Sequence, residues 1–449
     1  MKFTVFFVLL SILLTGVMVD WGNAGNILPN KIYQYKLENG LKIVAVPFDS
    51  PGIASFYINV SVGSRNEVEK GVTGFAHFFE HMMFRGTDLY PKEKYLQVLK
   101  SIGASANANT SNDRTRYHMT GNAGNLDLMF KIEADRFQNL NYSEHDFKAE
   151  AGAVKGEYTK NYASPYQQIF EGMLNTAFDV HTYKHTTMGF FEDIVDMPNQ
   201  YEYSLTFFKR YYRPEYSTIV VVGDVKPDKI KKLAQKYFGD WKRGEYSTDV
   251  PVEPTQKETR YYHLQNSSIP PFLMLSYKGP AFNDQEIDMP AMDVISTILF
   301  SENSALYKKL VIEEQKVRFI GGGAFDSKDP NLFSIQASLI NKEDMQYVKD
   351  EVVKALEAVK ENGVDEKLLA DTKSHLKYSF AMQIDNPDQI AGTLCHYIAL
   401  TGDPGTINRV YQQYDKVSVN DIKDITKKYF IPTGLTISTI TGDPEGGVQ

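Results

Sequence analysis

The chain has 449 residues, 42% of them hydrophobic, which is ample for large cores and predicts two or more domains. A formal net charge of -8, with both signs plentiful, excludes a nucleic-acid-binding surface. The single cysteine, Cys395, excludes an internal disulfide, so the fold must be held by its cores.

The N-terminus, MKFTVFFVLLSILLTGVMVDWGNAGN, has the tripartite form of an export signal. Lys2 is its positive end, Phe3 to Val19 an uncharged apolar run, and Gly22-Asn23-Ala24 a small-x-small cleavage site. Residues 1–24 are therefore expected to be removed. The mature chain would begin near Gly25 as a secreted protein, periplasmic in a two-membrane cell, with no membrane anchor. The run is short for a spanning helix. A mitochondrial presequence should be rich in arginine, and the first arginine here is Arg65.

KIYQYKLENGLKIVAVPFD then reads as two short strands around an Asn39-Gly40 turn, and IASFYINVSVG as a third strand. TGFAHFFEHMMF reads as a helix, and EKYLQVLKSIG as an amphipathic helix closed by Gly103. SANANTSNDRTRYHMTGN has the look of a polar strand pair at a sheet edge. LDLMFKIEADRFQNL and the stretch from Asp146 to Ala177 read as helices, and STIVVVGDV as a strand. The C-terminus repeats this close. YSLTFFKRYYRPEYSTIVVVGDV and NDIKDITKKYFIPTGLTISTITGD each run amphipathic helix, aromatic pair, proline, β-rich strand, Gly-Asp. Such a repeat predicts two similar domains. The polar, proline-bearing stretch between them gives the division 25–245, linker 246–258, and 259–449. The mixture of helices with hairpin signals makes the expected class α+β, with a mainly antiparallel sheet in each domain enclosing a peptide-binding cavity.

The chemistry sits in His77-Phe78-Phe79-Glu80-His81, which reads H-x-x-E-H. On a helix, His77 and His81 lie roughly 40° apart on one face, a turn apart along the axis. Two imidazoles so placed can bind one Zn²⁺. Glu80 projects about 60° to the side of His77, within reach of a metal-bound water. A catalytic zinc needs a third protein ligand and an open position. Glu150 and Glu157, two turns apart on one helical face, could each reach the site.

These features resemble the pitrilysin/insulinase family of zinc metallopeptidases, in its zinc-site-bearing form. LENGLKIVAVP, GASANANTSNDRTRY, HTYKHTTMGFFEDI and LTFFKRYYRPEYSTIVVVGDV add to the likeness, which covers most of residues 30–449. The resemblance implies one zinc per chain held by His77, His81 and Glu157, with Glu80 as general base. Glu150 would orient a ligand histidine. Asn107 and Ala108 would lie on the edge strand that receives an unfolded peptide as an added strand. It implies a zinc endopeptidase. The family's complete members also carry an Arg and a Tyr, seven apart, in the second domain. Here Val311 and Arg318 occupy those positions, so a related subunit is expected to supply the pair in a hetero-oligomer. The alternative is a non-catalytic structural or peptide-binding subunit of a larger complex. His181 and His185, four apart in a loop, and Gly321-Gly322-Gly323, without a phosphate-loop context, are expected to be structural.

Overall fold

Two antiparallel-dominated sheets, one from each half of the chain, form the frame of the computed structural model, which describes residues 26–448. The export signal expected at residues 1–24 lies outside the described residues. The first sheet contains β1 (Tyr33–Lys36), β2 (Lys42–Pro47), β3 (Ile53–Val60), β4 (Ser105–Thr110), β5 (Thr115–Asn122) and β6 (Ser217–Gly223), in the order β1-β2-β6-β3-β5-β4. The second contains β7 (Arg260–Gln265), β8 (Phe272–Lys278), β9 (Val317–Ala324), β10 (Leu332–Leu339) and β11 (Leu435–Thr441), in the order β7-β11-β8-β10-β9. The fold is a two-domain mixture of sheets and helices, as the sequence predicts.

The internal repeat is visible in the pairing. β6 and β11 each follow a helix (Tyr201–Tyr211, Val419–Tyr429) and a proline (Pro214, Pro432). β6 runs parallel to β2 and antiparallel to β3. β11 runs parallel to β7 and antiparallel to β8. Residues 241–259, between the halves, hold neither helix nor strand.

Packing crosses that connection in both directions. On β2, Ile43 and Ala45 face the first core while Val44 and Val46 face the opposite side; on β6, Ile219 and Val221 alternate likewise with Val220 and Val222. Burial on both faces is why these strands read as unbroken apolar runs. The outer face is covered by the helix Pro387–Thr401 from the second half, which brings Ile390, Leu394 and Ile398 against it. Reciprocally, the helix Pro165–Ala177 of the first half packs on β7 and β11, with Ile169 and Met173 against Phe272 and Met274. Gly172 allows this approach, since a Cβ there would fall 2.1 Å from Tyr262 Cζ. Among the described residues no helix is long and apolar enough to cross a membrane.

Candidate metal centre

The H-x-x-E-H segment forms the helix Phe75–Met82, packed beside β4 and β5. Phe78 and Phe79, pointing away from the histidines, are fully buried, and Phe79 stacks on Phe207 with centroids 5.4 Å apart. Each such ring contributes roughly 1.5–3 kcal/mol through burial, anchoring the helix from beneath. Its start is fixed by Gly74, in the left-handed region at φ 88°, where a Cβ would sit 2.5 Å from Ile194 Cδ1. Glu67 caps the same end: its carboxylate accepts the Gly74 N–H at 2.8 Å and the Ala76 N–H at 2.7 Å. Burial pushes the Glu67 carboxyl up to about 8, against the pull of those N–H groups. Sequence reasoning missed Glu67, because it reaches the helix from a loop and follows no local capping pattern.

The second contributor is the helix Glu144–Tyr162, which packs against the motif helix. It begins with a capping box in which Ser143 and Asp146 satisfy each other's backbone N–H groups. It presents Glu150 and Glu157 on the face turned to the histidines. The ligand-type atoms of His77, His81 and Glu157 lie within 4.8 Å of one another. Glu157 Oε2 is 3.9 Å from His77 Nε2 and 3.3 Å from His81 Nε2. Glu150 meets the opposite edge of His81, with Oε1 3.1 Å from Nδ1, while its Oε2 accepts from Arg85 Nε at 2.5 Å. With Nδ1–H donated to Glu150, His81 Nε2 carries its lone pair toward Glu157 and His77. Arg85 and this division of labour between the two glutamates were not legible from spacing.

Electrostatics follow from these contacts. Burial, then the neighbouring His81, pull His77 below the ordinary histidine range, which favours the neutral, ligating form; Glu80 and Glu157 oppose them. The Glu150 hydrogen bond lifts His81 despite partial burial. Burial raises Glu150, but hydrogen bonds from His81 and Arg85 outweigh it and hold the carboxyl below its usual value. Two imidazoles and a carboxylate within one ion's reach suit Zn²⁺, and the tautomer fixed by Glu150 fits that use.

Glu80 is not part of this trio. Its Oε2 accepts a 2.7 Å hydrogen bond from Thr110 Oγ1, at the end of β4. β4 is the outermost strand of its sheet, as expected for the polar pair. Asn107 is exposed on it, whereas Ala108 as a whole is 6% exposed and belongs to the core. The Ala108 N–H is already donated to Asn107 Oδ1 at 2.9 Å. Val311 lies half-buried against the second core, in the π-helical segment Lys308–Glu313, and Arg318 is exposed on β9. His181 Nε2 lies 2.9 Å from Asp329 Oδ2, and His185 Nδ1 lies 2.9 Å from the Thr186 carbonyl. Gly321, Gly322 and Gly323 lie within β9.

Residues 44–189 match the family described as "Insulinase (Peptidase family M16)", and residues 200–376 match "Peptidase M16 inactive domain". The chain carries M16 peptidase domains. The M16 likeness extends over nearly the whole chain in individual relatives. "Zinc protease PqqE" of Helicobacter pylori is 27% identical over 410 residues, covering 89% of this chain and 90% of that protein. The crystal structure of a protease from Helicobacter pylori superposes with a TM-score of 0.85 at 28% identity, over 92% of this chain and 100% of that one. The periplasmic protease PqqL from Escherichia coli shares the fold at TM-score 0.74 and 17% identity. There the match takes 92% of this chain and only 48% of PqqL. The zinc-protease relatives agree with zinc as the metal that an M16 site of this composition takes.

Proposed function

We propose that this chain is the zinc-bearing subunit of an exported M16 endopeptidase that cuts unfolded peptides. The observation that carries the reading is the convergence of His77, His81 and Glu157 with Glu80 beside them on the same helix. In this reading residues 1–24 are the signal, 25–245 the zinc-binding domain, 246–258 the linker and 259–449 the second domain. The mature chain is secreted, to the periplasm where there is one. His77, His81 and Glu157 hold one zinc per chain, and Glu150 keeps the His81 ring in its tautomer and orientation. When bound, the zinc supplies Lewis acidity, polarising a peptide carbonyl and making water easier to deprotonate. Glu80, oriented by the Thr110 hydroxyl, takes the proton of the attacking water and passes it to the departing nitrogen. The free edge of β4, at Asn107 and Ala108, pairs with the peptide main chain, so selection favours extended shape.

The Arg/Tyr pair expected on the oxyanion side of this site does not stand at its positions in this chain. Val311 has no donor, and Arg318 stands where a tyrosine is expected. Removing one oxyanion donor typically costs about 10²–10³ in rate. A related subunit therefore completes the site in a hetero-oligomer, in keeping with this chain's match to about half of PqqL. The test is to purify the mature chain, measure zinc, and follow cleavage of a quenched peptide with and without a relative that carries the Arg/Tyr pair. Zinc with weak cleavage alone and strong cleavage together is expected. Full activity of the isolated monomer removes the partner from the reading. The match of residues 200–376 to an inactive domain favours a second reading, a non-catalytic structural or peptide-binding subunit. Zinc-loaded chain that cleaves nothing with any relative would establish it.

A further inference from the structure

The helix Pro165–Ala177 covers β7 and β11 but leaves the same face of the second sheet open toward β10 and β9. The opening is a trough of about 810 Å³. Its floor follows the sheet register. Phe272, Ser338 and Phe319 form one row across β8, β10 and β9, and Met274 and Gln336 begin the next. Its wall is the end of the Glu144–Tyr162 helix and the start of the next, with Lys160, Tyr166 and Phe170. Phe319 is 50% exposed and Tyr166 43%, so large apolar side chains stand open to solvent there.

Two cations, Lys160 and Arg318, rim this apolar floor, and no carboxylate lines it. Both are exposed, and neither has an ion-pair or hydrogen-bond partner among the described residues. The acidic side chain on the covering helix, Glu171, is already engaged by the Tyr158 hydroxyl and the Gln167 amide. Lys160 and Asn161 follow Glu157 by three and four residues, which puts them on its helical face, about 5–6 Å further along the axis. The trough thus begins one helical turn from the metal ligand.

We propose that this trough is a substrate subsite that takes a peptide segment in which an apolar side chain lies next to a carboxylate. The aromatic floor receives the apolar side chain, and Lys160 and Arg318 meet the carboxylate, which comes from an acidic side chain or from the peptide's C-terminus. The proposal rests on the peptidase reading and deepens it by naming a substrate preference. Free cations over a concave aromatic floor are complementary to that one combination and mismatched to a basic segment.

The experiment measures binding without turnover. The full mature chain carrying Glu80→Gln is titrated into short fluorescein-labelled peptides, identical except for a central Phe-Glu or Phe-Gln, each with a free or amidated C-terminus. Fluorescence anisotropy should show a preference for the carboxylate of about tenfold at low salt, shrinking as salt is added. The Glu-against-Gln comparison in amidated peptides reports a side-chain carboxylate. The free-against-amidated comparison in the Gln peptide reports the chain end. In a Lys160→Gln/Arg318→Gln double variant the preference should vanish while the neutral amidated peptide binds as before. Lys160→Glu/Arg318→Glu should reverse it toward a Phe-Lys peptide. Equal binding of all peptides, or a preference that survives the double variant, overturns the subsite. Either result with wild-type hydrolysis intact leaves the peptidase reading standing. A wild-type chain that cleaves nothing with any relative sinks that reading, whatever the binding shows.

Discussion

Glu150 touches both His81 and Arg85, and Glu157 touches both histidines, so two carboxylates seven residues apart do different work on one ring. Replacing His81 by Ala removes the ring that both address. Elemental analysis should show about one zinc per wild-type chain and a large loss in His81→Ala; a full complement in the variant would remove His81 as a ligand. Glu80→Gln keeps the length of the side chain and its contact with Thr110 but cannot take a proton. It should retain zinc and lose peptide hydrolysis by roughly two or more orders of magnitude in the assembled enzyme. Near-normal turnover would assign the base elsewhere. A residue outside the metal trio adds its own pH dependence. Asp293, in the helix Asp288–Phe300, is pushed up to about 7 by burial, with Tyr414 donating to it and Asp326, paired to His396, adding repulsion. An unfolded Asp titrates near 4, so between about 4 and 7 the folded chain holds the extra proton. The stability this group contributes is complete below that window and is lost as pH rises through about 7. Asp293→Asn should make that part of the melting-temperature profile shallower, with Glu67, raised to about 8, still contributing its own decline; an unchanged pH dependence would contradict it.

At the scale of elements, the motif helix, the edge strand and the two tail strands were legible because each has a local signature. H-x-x-E-H has helical spacing, SANANT and TRYHMTGN flank a polar turn, and the helix-proline-strand close occurs twice. Glu157 as candidate third ligand could be named only through family likeness. Spacing puts Glu150 and Glu157 on one face, but cannot say which imidazole nitrogen each will meet. The helix exchange was not legible at all. Runs such as IVAV and TIVVV announce burial on both faces without naming the cover, which comes from more than 150 residues away in sequence. Gly172, on the reciprocal helix Pro165–Ala177 over β7 and β11, is the point at which the exchange can be tested. Gly172→Val drives a side chain into the Tyr262 ring and should destabilise by about 1–3 kcal/mol. Tyr262→Ala in the same chain should recover part of the loss, a coupling that a thermal-melt double-mutant cycle reads directly. Simple additivity would mean the contact is not where the strain falls.

For the whole molecule, each half lends the other a covering helix, so neither has a finished surface alone. A fragment of residues 26–245 would expose Val44, Val46, Tyr57, Val220 and Val222 on one open sheet face. It should aggregate or melt without a cooperative transition. Co-expression with residues 246–449 should restore a soluble complex that melts like the intact chain. A monomeric, cooperatively folding N-terminal fragment would show that the exchange is dispensable.

The same exchange sets a timetable. The ribosome finishes β6 at residue 223, yet the helix that closes that sheet's outer face starts at Pro387, more than 160 residues later. Domains ordinarily fold one at a time as they emerge; this one must wait for nearly the last tenth of its own message. Until then Val44, Val46, Val220 and Val222 have no cover on the sheet's outer face. Completion of the first half is thus tied to the arrival of a late helix, and a chain that ends before Pro387 is expected to be far more protease-sensitive than the full one, which limited proteolysis of such a truncation would read.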